Sequence, residues 1–258
     1  MGLTQEQKEI IKQTIKNSLL SRFKTYNPEP SYMPFHYRLL GKDRLALYSF
    51  IHSLNTNFGT SIFEPVAITL AKNNFNIAKR QVKLEGFISE AALFEIQKII
   101  DDLVVANRKP DKLNEIELIR KVSQKGKMRK IKPTRVDLLL EDNKGKIYVI
   151  DIKTAKPNKG GFKEFKRTLL EWIAVILAEN PKADIASLIA IPYNPYEPKP
   201  YSRWTMAGMI DLENELKVAD EFWDFLAGDN AYDDLLDAFE QAGIELRPEI
   251  DKYFQKFK

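Results

Sequence analysis

In the N-terminal half of this 258-residue chain, apolar positions recur every three or four residues, the period of a helix with one buried face. Residues 4–24 carry Ile11, Ile15 and Leu19 at that spacing, with Thr4 and Gln7 placed as a capping box and the Tyr-Asn-Pro-Glu-Pro run at 26–30 ending the segment. Leu39, Leu47, Phe50, Ile51 and Leu54 predict a second helix over 35–57, closed by Gly59. A third begins near Ser61 and buries Ile62, Val66, Ile68 and Leu70; Pro65 is acceptable there because a first turn has no backbone donors to lose. Residues 75–84, with Ile77 and Val82, predict a short extended segment. Helical spacing returns over 89–105, N-capped by Ser89, and over 112–122 after the break at Pro110.

The period then drops to two. Over 134–153, two runs rich in Leu, Val, Ile and Tyr flank Asp142-Asn143-Lys144-Gly145, where Asp suits the first position of a type I turn and Gly the last. With Gly145 left-handed in a three-residue loop, Asp142 pairs with Lys146 and Asp137 stands opposite Asp151. Two carboxylates opposed on a sheet repel each other, and a divalent cation between them reverses the sign. Lys153 follows Asp151 by two residues and so shares its face. Two acids and an amine on one patch of strand suit a magnesium-dependent phosphodiesterase, because hard cations take a carboxylate or two plus water and phosphate.

Downstream, Phe162, Phe165, Leu169, Trp172, Ile173 and Ile176 predict a helix over 162–179 with Trp172 in the core. The apolar run 183–191 predicts a buried strand beside the hairpin. Four prolines within 192–204 exclude helix there. Phe222, Trp223, Phe225, Leu226, Leu235, Leu236 and Phe239 predict two or three short helices to finish the chain. With no internal repeat and no interdomain linker, the expectation is one α/β domain over 1–258: a mainly helical portion 1–130, a mixed-sheet core 131–195 flanked by helices, and a helical portion 196–258.

Composition narrows the chemistry. There is no cysteine and only His36 and His52 for imidazole, which excludes disulfides, thiolate metal sites and a multi-histidine zinc centre. The lack of cysteine, of a membrane-length apolar run and of a signal-like start points to the cytoplasm. A net charge of +4 conceals a split: between Asp211 and Asp251 fourteen acids face Lys217 and Arg247, leaving −12 there and +16 elsewhere. Such a division suits a molecule with one side on a polyanion, or simply C-terminal helices with solvated acidic faces. Candidate phosphate contacts are Lys127, Arg129 and Lys130 in the basic stretch 121–132, Lys156 and Lys159 in the loop after Lys153, and Lys163 and Arg167 on one flank of the next helix. That basic stretch also has the composition of a plain solvated loop. Asn194 and Arg203, in the proline-rich loop, are residue types that pair with adenine and guanine edges, though the loop's composition equally suits a rigid surface tie or part of a dimer contact.

Asp137, thirteen residues, then Asp151-Ile152-Lys153 is similar to the PD-(D/E)XK nuclease signature, with Val136 where the motif has proline. Gly59-Thr60-Ser61-Ile62-Phe63-Glu64-Pro65, and the segment from Tyr193-Asn194-Pro195-Tyr196 to Glu221-Phe222-Trp223-Asp224-Phe225-Leu226, look like prokaryotic type II restriction endonucleases, nearest the TdeIII type. The resemblance implies a restriction-endonuclease-like fold and a Mg²⁺-dependent enzyme cutting double-stranded DNA as a homodimer. It implies that Asp137, Asp151 and the Ile152 carbonyl hold the ion and that Lys153 orients the attacking water. It also carries onto Glu64 an acid lent by a helix before the sheet, where the residue would otherwise serve only the helix dipole. A TdeIII-type enzyme implies a short site such as GGNCC. Other readings of the same residues are a repair or recombination nuclease, a ribonuclease, a DNA-binding protein without chemistry, and a metal enzyme for a small phosphorylated substrate.

Overall fold

The computed structural model describes residues 2–26, 33–153, 155–157, 159–203, 206–228 and 230–256, apart from the side chains of Thr56, Asn57 and Lys159. Helix α1 (Gln5–Thr25) opens with the expected capping box of Thr4 and Gln7. The proline run expected to end it lies outside the described residues from Asn27 on. The helix expected over 35–57 is two, α2 (Pro34–Leu40) and α3 (Lys42–Phe58), because Gly41 takes φ +85° between them. Gly59 does not close α3. It is helical, and the chain runs through a π-turn (Gly59–Phe63) into α4 (Glu64–Ala71), the Glu64 N–H reaching back five residues to the Gly59 carbonyl. Pro65 has no N–H for an ordinary helical bond, and a wide turn just before it accommodates that loss.

Strands β1 (Phe75–Leu84), β4 (Thr134–Asp142), β5 (Ile147–Ile152), β6 (Ile185–Ile191) and β7 (Leu216–Val218) form a sheet in the order β1-β4-β5-β6-β7. The first two pairings are antiparallel and the last two parallel. A small ribbon pairs β2 (Phe87–Ser89) with β3 (Met128–Lys130), so part of the basic stretch expected as loop is extended. Helices α5 (Glu90–Val104), α6 (Lys112–Val122) and α7 (Phe162–Glu179) match expectation closely. The C-terminal helices are α8 (Asp220–Ala227), α9 (Ala231–Glu245) and α10 (Arg247–Gln255).

Each face of the sheet has its own core. On one, Val136, Val149, Ile189 and Ile191 pack against α5, α6 and α7, with Trp172 buried and its N–H donated to the Thr134 hydroxyl. On the other, Leu138, Leu140, Ile150 and Leu188 pack against α1, α4, α8 and α9. Helix α9 is also tied to α1 by charge: Lys8 pairs with Asp234, and Lys12 and Lys16 both pair with Glu245. Some of the C-terminal acids therefore meet N-terminal lysines rather than water. Among the described residues no helix is long and apolar enough to cross a membrane.

Candidate active site

The hairpin forms in the expected register. Leu138 faces Ile150, Asp142 donates to and Lys146 accepts at the turn, and Gly145 has φ +81°. Ladder pairing stops at Leu138 and Ile150, and one step further the strands splay with Asp137 between them. Its Oδ2 accepts from the Ile152 N–H at 2.8 Å, taking the place of a backbone acceptor. Burial first, and then the neighbouring Asp151 carboxylate, push Asp137 up to about 7. Lys153 Nζ lies 2.8 Å from Asp151 Oδ2 and 4.6 Å from the ring centre of Phe165 on α7, so its ammonium is held between a carboxylate and an aromatic face.

Glu64 arrives from the other side of the sheet. The π-turn brings the first residue of α4 to β1, where Glu64 is 1% exposed and its Oε1 accepts from Gln81 Nε2 at 2.7 Å. Burial raises its pKa. Among the described residues its Oε2 is buried without a hydrogen-bond partner. Gln81 also reaches Asp137 Oδ1 at 3.4 Å, and its own Oε1 accepts from Arg135 at 3.3 Å. Sequence reasoning missed Gln81. The signal was present in the five-residue interval from Ile77 to Val82, which a regular strand would put on opposite faces.

Gln81, Asp137 and Asp151 come to one end of the sheet, because β5 ends there, β4 begins there and β1 runs antiparallel to β4. Among the described residues no three His, Cys, Asp or Glu side chains converge tightly enough to define a metal site by themselves. The donor set nonetheless fits a hard cation that keeps several waters: two carboxylates in mutual repulsion, a third with a buried oxygen left over, and no soft ligand.

The basic residues divide. Lys127, Lys130, Lys156 and Lys163 are exposed, with Lys156 lying 5.3 Å from the Tyr196 ring centre. Arg129 is paired with Glu90, and Arg167 with Gln97 of α5 at 2.7 Å. The side chain of Lys159 is outside the described residues. In the proline-rich loop, the Asn194 side chain holds the Lys199 carbonyl and the Tyr196 N–H. Arg203 donates to the Pro157 carbonyl, and Tyr201 to that of Ala155, each at 2.9 Å. Those contacts tie the loop after β6 to the loop that follows Lys153.

A profile described as Type II restriction endonuclease, HinfI, matches residues 3–243. The type II restriction enzyme HgiCII of Herpetosiphon aurantiacus is 25% identical over 223 residues, covering 85% of this chain and 80% of its own. HgiEI, from the same organism, is 24% identical over 221 residues, 84% of this chain and 79% of its own. The type II restriction enzyme MjaII of Methanocaldococcus jannaschii is 30% identical over 240 residues, 82% of this chain and 63% of its own. The matching profile is that of HinfI, and the GGNCC expectation rests on the narrower TdeIII-type likeness alone. The restriction-enzyme resemblance itself extends over nearly the whole chain: it belongs to the HinfI family of type II restriction endonucleases, hydrolases that cleave DNA at specific sites.

Proposed function

We propose that this chain cuts both strands of double-stranded DNA at one short sequence, using Mg²⁺, and that it does so as a homodimer. The observation that carries the reading is the Asp137 and Asp151 pair at the splayed end of the hairpin, with Lys153 against it. A carboxyl that burial and a like charge push up to about 7 ionises fully near neutral pH only when a positive charge joins it. Asp137, Asp151 and the Ile152 carbonyl would hold the ion, with Glu64 completing the set. When bound, Mg²⁺ supplies a Lewis acid for the scissile phosphate and acidifies a coordinated water.

The remaining roles fall to the chain itself. Lys153 orients the attacking water and offsets charge that accumulates on the phosphorane. Asp137, by accepting from the Ile152 N–H, keeps the strands apart so that both carboxylates face the same space. Lys127, Lys130, Lys156, Lys159 and Lys163 hold backbone phosphates, contacts that bind without reading sequence. Arg129 and Arg167 would join them by exchanging Glu90 and Gln97 for phosphate. Asn194 and Arg203 set the shape of the recognition loop, and base contact by either requires it to give up its carbonyl partner. A two-fold dimer matches a palindromic site in symmetry.

The test is a digest of plasmid DNA of known sequence, methylated and unmethylated, with and without Mg²⁺. Discrete fragments that need Mg²⁺ and vanish on methylated DNA are expected. Uniform degradation, or discrete fragments formed in excess chelator, would contradict the proposal.

A further inference from the structure

Gln81 has φ +53° in the middle of β1, a conformation disfavoured for any residue with a Cβ and far from that of its neighbours in the strand. The sheet turns over at this point. Ala78 packs in the α4-side core, whereas Val82 and Leu84, of the same strand parity, pack in the α7-side core. On the partner strand Leu138 and Leu140 belong to the first and Val136 to the second. The inversion falls between Arg80 and Val82 on β1 and between Leu138 and Val136 on β4, so Gln81 and Asp137 share it. Were the inversion all that position 81 supplied, glycine would supply it with less strain.

The side chain accounts for glutamine. Its NH₂ group donates to Glu64 Oε1 at 2.7 Å and, more weakly, to Asp137 Oδ1 at 3.4 Å, while its oxygen accepts from Arg135. Carboxylates on one end and a guanidinium on the other fix which way the amide faces. One oxygen of Glu64 is thereby taken, and the other is buried without a partner among the described residues.

We infer that Gln81 is a positioning residue of the metal site, holding Oε1 of Glu64 so that Oε2 remains directed to the cation. This rests on the Mg²⁺ reading above. A side chain that orients a metal-binding carboxylate alters metal affinity by about tenfold to a hundredfold when removed. It acts through Glu64, so its effect vanishes once Glu64 is gone.

The experiment compares wild type, Gln81→Gly, Glu64→Ala and the double variant, with Asp151→Asn alongside. Two readouts are taken: calorimetric binding of Mg²⁺ alone, and the Mg²⁺ concentration for half-maximal cleavage set against the rate at saturation. Gln81→Gly keeps the backbone conformation at lower strain, and Gln81→Asn, a type that tolerates positive φ, replaces it should it not fold. Expected are about tenfold weaker Mg²⁺ binding in Gln81→Gly, a matching rise in the Mg²⁺ requirement with the saturating rate within about threefold, and no further change in the Glu64→Ala background. Unchanged Mg²⁺ binding, or a second tenfold loss in that background, would overturn the inference. The two failures separate cleanly: if Asp151→Asn cleaves like wild type, the site itself is misassigned; if it is inactive and Gln81→Gly behaves as wild type, only the role of Gln81 falls.

Discussion

Asp137 carries the strongest electrostatic signature among the proposed site residues, and its titration has a definite sign. Its folded pKa of about 7 lies above the ordinary 3.8, so between those values the folded protein holds a proton that the unfolded chain has released. The metal-free protein therefore loses stability as pH rises from about 4 to 7, and the loss is complete above that window. Asp137→Asn, which mimics the protonated form, should exceed wild type at pH 5 in excess chelator by only about a third of the full difference, since the loss begins at the unfolded value. At pH 8 it should be more stable by on the order of 1 to 2 kcal/mol, after allowing for the partial exposure of the site. Chemical denaturation at the two pH values checks this, and a constant gap between variant and wild type would contradict it. The pair of Asp137 with Asp151 was legible in the sequence because turn chemistry and strand alternation suffice to oppose two positions. Glu64 was legible only by family likeness, since it reaches the sheet through a turn no local pattern announces. Gln81 was missed: the odd interval from Ile77 to Val82 hints at a change of face, but it does not say which residue between them turns left-handed when none is Gly or Asn.

At the scale of elements, the hairpin positions the chemistry and Gly145 positions the hairpin. A Cβ at Gly145 would meet no atom within 4 Å, so any effect of substitution comes from its φ of +81°. Gly145→Ala should lower stability by about 1 kcal/mol, a left-handed residue being disfavoured by that order, and leave the cleavage rate of folded protein unchanged. A thermal melt beside a cleavage assay reads both; a larger fall in rate than in stability would mean that the turn does more than set register. The long elements followed from their periods, helix over 162–179 and strand over 185–191 among them. The misread join from α3 to α4 has a physical cause. An unbroken apolar stripe cannot distinguish a π-turn from a regular helix or from a stop at Gly59, because Pro65 fits either account. Strands of three residues, such as β2, β3 and β7, are too short to display any period.

Across the whole molecule, charge is organised in two ways that composition alone could not separate. The acidic C-terminal segment is partly matched by α1, through Asp234 and Glu245. A second set is wholly internal. Lys166 of α7 pairs with Glu115 of α6 and with Glu215 just before β7, each at 2.6 Å, and Lys112 pairs with Glu215 at 2.5 Å, all within the core. Burial pushes Lys112 down and Glu115 up; burial opposes ionisation of Glu215 too, but Lys112 and Lys166 hold it below its usual value. Lys166→Met would leave Glu115 unpaired and unbalance Glu215, so a loss of about 3 to 5 kcal/mol is expected in equilibrium unfolding. A loss below 1 kcal/mol would mean that the network is better hydrated than its burial indicates. Sequence reading did not single out Lys166, because helical phase alone does not reveal an acid waiting on another element.

The central claim is that Asp151 and Lys153 perform chemistry, with phosphate affinity supplied elsewhere on the surface. The most direct measurement follows binding and cleavage of one duplex by wild type, Asp151→Asn and Lys153→Ala in Mg²⁺. The account predicts cleavage reduced on the order of a thousandfold in both variants, with affinity for the duplex within about threefold of wild type, since backbone contacts dominate binding. Cleavage by either variant at the wild-type rate would contradict it.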